Sequence, residues 1–163
     1  MKLLTLIPIL ALTLLAAGDY SNRRAPGFSL MDSHLQQHDP QDFHGKVLLI
    51  DFMQTTCQTC TTLADTLVQV KAKYGDKIAI LSIVTSPDTF DTVNKFAADH
   101  KTTWPILFDS GQVMMSYLRL TPGNMNVHFP HMFIVDGNGT IRDDFEGTES
   151  ITSLSAKIDP LLK

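Results

Sequence analysis

Cys57 and Cys60 are the only cysteines in the chain, and two residues separate them, in "LIDFMQTTCQTCTTLAD" (49–65). A pair at this spacing has three chemical uses: a structural staple, part of a metal site, or a redox couple. The staple is the weakest, because stabilisation by a cross-link grows with the loop it closes. The redox use fits the surroundings. An apolar run leads into the pair and a helical pattern leads away, so Cys57 falls where a helix begins. Free N–H groups and the positive end of the helix dipole gather there, and both favour the thiolate, the reactive form of cysteine. Cys60, one turn on, can attack a mixed disulfide on Cys57 and resolve it. Asp51 interrupts the apolar run ahead of the pair. An unpartnered carboxylate is costly to bury, and burial raises its proton affinity toward the range useful for proton transfer. Asp51 is then suited to take the Cys60 proton. The plainer alternative is a solvated residue at a strand end.

The elements that must position these groups are legible around them. "KVLLIDF" (46–52) reads as a buried strand. Leu63, Leu67, Val68 and Val70 recur at helical spacing up to Gly75, which supplies a stop. "KIAILSIV" (77–84) is a second buried strand. Ser86-Pro87-Asp88 predicts a helix start, with the helix running to about His100. "TWPILFD" (103–109) predicts a short strand that places Trp104, the sole tryptophan, in the core. Residues 110–119 predict a short helix or turn. "HMFIVDGNGTIRDDFEG" predicts two strands around a turn at 136–139, and Thr148 a cap for a last helix over 149–162. This α/β order implies a mixed central sheet flanked by helices.

The whole chain sets the context. At 163 residues it is long enough for one domain with a full core. Hydrophobic residues make up 44% and charged residues 18%, which excludes disorder and a multi-span membrane protein. The net charge is −4 and there is no basic stripe, which argues against a nucleic-acid partner. Residues 1–18 read as a signal peptide: Lys2, an apolar stretch over 3–17, and small residues at Ala16, Ala17 and Gly18. The apolar stretch is short of the about 20 residues that span a bilayer. The alternative is an uncleaved anchor that associates the protein with a membrane. A bacterial lipid-accepting cysteine is missing, since Asp19 stands in its place. Export would make the cysteine pair disulfide-competent. Residues 19–24 read as a short tether and 25–163 as one domain.

Four motifs carry a resemblance to the thioredoxin superfamily: "VLLIDFMQTTCQTC", "APGFSLMD", "DFHGKVLLIDF" and "HFPHMFIVDGNG". The lead-in resembles the secreted TlpA- and ResA-like branch and its redoxin relatives, over about 25–163. The resemblance implies a thioredoxin-like fold with an N-terminal strand extension. It implies dithiol–disulfide exchange with a protein partner and no cofactor, with a membrane electron donor among the candidate partners. It also implies a bacterial protein that is periplasmic or secreted, or held at the inner membrane. Pro130 matches the family's cis-proline beside the disulfide, and Phe129 then holds the backbone position that pairs with an extended substrate. The chain departs from the family at Thr56, where tryptophan is usual, and at Gln58 and Thr59 between the cysteines. These departures leave oxidant or reductant unassigned.

Two alternatives stand beside exchange. The chain also resembles the Sco-like copper chaperones, in which two thiolates and a histidine suit Cu(I). Cys57, Cys60 and His128 would be the ligands here. Against this, the cysteine spacing is one residue short and the proline is present; a surface histidine is the plainer reading of His128. His131 is an equal candidate for a strand residue near the site. A redoxin-type peroxidase is the weaker alternative, because Gln54 replaces the threonine expected three residues before the reactive cysteine.

Overall fold

A computed structural model describes Gly18 and residues 20–162. Apart from Gly18, the expected signal segment lies outside the described residues. Eight strands and four helices are assigned: β1 Arg23–Arg24, β2 Leu30–Met31, β3 Gln37–His38, β4 Val47–Met53, α1 Gln58–Tyr74, β5 Ile78–Val84, α2 Phe90–His100, β6 Ile106–Phe108, α3 Gln112–Leu118, β7 His131–Val135, β8 Thr140–Glu146 and α4 Ile151–Ile158. Six strands form one sheet in the order β1-β8-β7-β4-β5-β6. Pairing is parallel from β4 through β5 to β6 and antiparallel from β4 through β7 and β8 to β1. This is the mixed, helix-flanked sheet that the element order predicts. β2 and β3 form a separate hairpin.

Every residue of β4 and β5 is buried, as central strands covered on both faces require. Alternation divides β4 between the faces. Leu48, Ile50 and Phe52 pack with Tyr117 and Leu118 of α3 and with Phe133. Val47 and Leu49 pack with Leu63, Leu67 and Val70 of α1 and Leu154 and Ile158 of α4. Asp51 and Met53 share that second face. α1 ends at Gly75, whose φ of 55° is the left-handed conformation in which glycine costs least.

Three boundaries differ from the sequence expectation. Residues 19–24 are not a free tether from Tyr20 onward: β1 pairs with β8, and the Tyr20 N–H donates to Asp144 Oδ1 at 2.9 Å. α2 starts at Phe90 rather than beside Pro87, because Thr89 and Thr92 form a reciprocal capping box; the Ser86–Pro87 bond is cis. α4 starts at Ile151, capped by Ser150 and not Thr148, with the Ser150 hydroxyl accepting from the Ser153 N–H at 3.1 Å.

Candidate active site

Cys57 is the N-cap of α1, and its Sγ accepts the Cys60 N–H at 3.2 Å. That backbone donor and the helix dipole converge on one sulfur. The two cysteines are joined in a disulfide, with Cα atoms 5.2 Å apart. Their surroundings differ. Cys57 is half-buried, whereas Cys60 is fully buried beside Met53, Ala64, Val93 and Phe96. Gln58 and Thr59 are exposed. The sequence therefore yields one reachable sulfur and one enclosed sulfur, the asymmetry that attack and resolution need.

Ahead of the pair, Asp88 anchors the loop that leaves β4. Its carboxylate accepts the Thr55 N–H at 3.2 Å and the Thr55 hydroxyl. Opposite the pair, the Phe129–Pro130 bond is cis. The Phe129 carbonyl accepts the Thr59 hydroxyl at 3.3 Å, and that hydroxyl also lies 3.1 Å from Cys57 Sγ. Pro130 is buried and Phe129 half-buried. The structure thus brings Cys57 against the Phe129 carbonyl, with cis-Pro130 next in the chain.

Asp51 is fully buried on the α1 side of the sheet, between Leu49 and Met53 in the alternation of β4. A solvated strand end is ruled out by that burial. The carboxyl is pushed up to about 7 by burial, against a lowering by the Ser82 hydroxyl, which donates to Oδ2 at 3.4 Å. Oδ1 is buried without a partner. A group of this kind changes charge near neutral pH and has a free lone pair for a proton.

The Redoxin family model matches residues 20–159. The chain belongs to the Redoxin family. Among similar proteins, "Thioredoxin-like protein YneN" of Bacillus subtilis is 28% identical over 144 residues, 87% of this chain and 81% of that protein. "Thiol-disulfide oxidoreductase ResA" of Geobacillus kaustophilus is 28% identical over 127 residues, 76% of this chain and 68% of that one. A thioredoxin-family thiol:disulfide interchange protein from Chlorobium tepidum superposes with a TM-score of 0.76 at 17% identity, covering 86% of this chain and 97% of its own. A secreted Mycobacterium tuberculosis disulfide oxidoreductase gives 0.66 at 20% identity, covering 82% and 96%. The fold is thioredoxin-like, and this redoxin is TlpA/ResA-like, with the Cys-x-x-Cys pair of a thiol–disulfide oxidoreductase.

The rival ligand set is not assembled in this redoxin. His128 is exposed, and no three His, Cys, Asp or Glu side chains gather into a group able to hold a metal ion among the described residues. With the pair joined as a disulfide, Cys57, Cys60 and His128 do not form such a group. His131 is buried instead, with Nε2 3.2 Å from Asp144 Oδ2 and its ring stacked 4.7 Å from Phe133.

Sequence reasoning missed Ser82 and the position of Trp104 relative to Asp51. Ser82 pairs in register with Asp51 across β4 and β5, and the Trp104 indole N–H donates to Ser82 Oγ at 2.9 Å. The available signal was a second polar residue interrupting a second apolar strand.

Proposed function

We propose that this redoxin is an exported oxidoreductase that exchanges its Cys57–Cys60 dithiol or disulfide with protein partners. The observation that carries the reading is the contrast between a half-buried Cys57 at the head of α1 and a fully buried Cys60 one turn on. In the reducing direction, the Cys57 thiolate attacks a sulfur of a client disulfide. A Cys57–client bond forms and the other client sulfur leaves as a thiolate. The Cys60 thiol then gives its proton to Asp51, and Cys60 Sγ attacks Cys57 Sγ. The intramolecular disulfide forms, the second client thiolate leaves, and two electrons have passed to the client. The oxidising direction is the reverse of these steps.

Asp51 is the proton acceptor in this scheme, supported by its burial, its face of the sheet and its unpartnered Oδ1. Phe129 and Pro130 form the docking edge, supported by their place against Cys57 and Thr59. Export is supported by the pattern of residues 1–18 and by the secreted protein of like fold.

The test is trapping. With a disulfide-bonded client peptide, Cys60→Ser accumulates a mixed disulfide on Cys57, and Cys57→Ser accumulates none. An unmodified Cys60→Ser protein would overturn the exchange reading.

A further inference from the structure

Asp51 sits in an apolar layer, yet two polar side chains lead to it in line. Trp104 is nearly buried and its indole N–H donates to Ser82 Oγ at 2.9 Å; the buried Ser82 hydroxyl in turn donates to Asp51 Oδ2 at 3.4 Å. An indole nitrogen is only a donor. Ser82 Oγ must therefore accept from Trp104, which turns its own proton away, toward the carboxylate. The indole fixes the direction of the first bond, and the Ser82 hydroxyl donates to Asp51 whenever the carboxyl is ionised. We propose that Ser82 and Trp104 are positioning residues for the redox site: a two-bond relay that orients the Asp51 carboxylate and keeps it ready to accept the Cys60 proton.

Three structural facts support the relay. The β4–β5 register sets Asp51 opposite Ser82. Ser82 and Asp51 lie on the face that α1 covers, where alternation also puts Val84 and Met53 against Cys60. Trp104 packs on the same side, with Leu63 and Leu67 of α1. No charged side chain acts on Asp51 among the described residues; burial raises its proton affinity and the Ser82 bond alone lowers it. Around it, β5 contributes Ser82 and β7 contributes Met132 at the paired position. Removing the hydroxyl leaves burial unopposed, so Asp51 holds its proton to higher pH and is a poorer acceptor at neutrality. The Trp104 bond keeps the hydroxyl aimed, so losing it gives the same effect in weaker form.

This inference rests on the exchange reading for its catalytic consequence but not for its first readout. Trp104 is the sole tryptophan, so its fluorescence reports the far end of the relay. In the full-length oxidised protein we expect a fluorescence transition near neutral pH that disappears in Asp51→Asn. In Ser82→Ala its midpoint moves to higher pH by about one unit, and in Ser82→Thr it stays near that of the parent. Ser82→Ala also slows resolution of the Cys57 mixed disulfide about fivefold at neutral pH, since moving the midpoint from about 7 to one pH unit higher leaves about a fifth as much carboxylate, and the rate recovers at high pH. Trp104→Phe, followed by the Asp51 carboxyl chemical shift, moves the same way by less and keeps the test open if Ser82→Ala does not fold. Midpoints and pH profiles unchanged in Ser82→Ala, or in Trp104→Phe in its place, overturn the relay. A fluorescence transition that behaves as described in a protein that forms no mixed disulfide would instead overturn exchange and leave the relay standing.

Discussion

The Thr59 hydroxyl stands 3.1 Å from Cys57 Sγ. A disulfide sulfur carries no proton, so the hydroxyl is the donor, and the same proton is shared with the Phe129 carbonyl 3.3 Å away. On reduction, a thiolate at Cys57 becomes the stronger acceptor, because hydrogen bonds to ionised groups are the stronger kind. Thr59→Val removes the donor and keeps the shape. The expected cost is about 1 kcal/mol of thiolate stabilisation, a roughly fivefold slower alkylation of reduced Cys57 at neutral pH. Thr59→Ser should react like the parent. Equal alkylation rates for Val and Ser variants would exclude the contact as a source of reactivity.

Asp51 makes stability depend on pH. Its carboxyl is raised from 3.8 to about 7 in the fold, so between those values the folded chain binds more protons than the unfolded one. Stability from this group is present at low pH and is lost as pH rises toward about 7 and slightly beyond. About three pH units at about 1.4 kcal/mol each amount to roughly 4 kcal/mol. Asp51→Asn should abolish that slope, and so gain on the parent at about pH 8 more than at about pH 5. Urea unfolding of both oxidised proteins at the two pH values checks it; a constant difference between them would contradict the sign.

Asp88 ties the approach to Cys57 by accepting from Thr55 twice and from the Thr92 hydroxyl at 3.1 Å. Asp88→Ala should lower stability by about 1–2 kcal/mol and slow the first, intermolecular step of exchange more than the second. Stopped-flow kinetics with a client disulfide separate the two steps. Identical kinetics would show that the loop holds its shape without the carboxylate.

His131 follows Pro130 directly and is buried against Asp144 and Phe133. His131→Leu removes the ring nitrogen and, among the described residues, leaves the Asp144 carboxylate with the Tyr20 N–H as its donor. The expected loss is about 2 kcal/mol of unfolding free energy, read by urea titration at neutral pH. No loss would mean that water replaces the ring.

The chemistry of this redoxin was legible where it lay in consecutive residues. The cysteine spacing and the apolar run before it singled out Cys57, Cys60 and Asp51, and the family resemblance of the "HFP" segment singled out Phe129 and Pro130. The relay was not legible, because Ser82 and Trp104 meet Asp51 only through the parallel register of β4 and β5 and the turn into β6. A serine in an apolar strand reads as a tolerated substitution until its neighbour across the sheet is known. Helix starts were misplaced for a related reason. Ser86 and Thr148 are sound cap signals by type, but the hydrogen bonds go to Thr89 and Ser150, whose partners sit three residues on.

The two border strands of the main sheet, β1 and β6, are two and three residues long. β6 also takes a bridge from Asp32 to Leu107. Short borders leave few idle amide groups for a stray chain to zip onto. A long bare border would let an extended chain pair with it and seed fibrils. Here the border is too brief to act as that template.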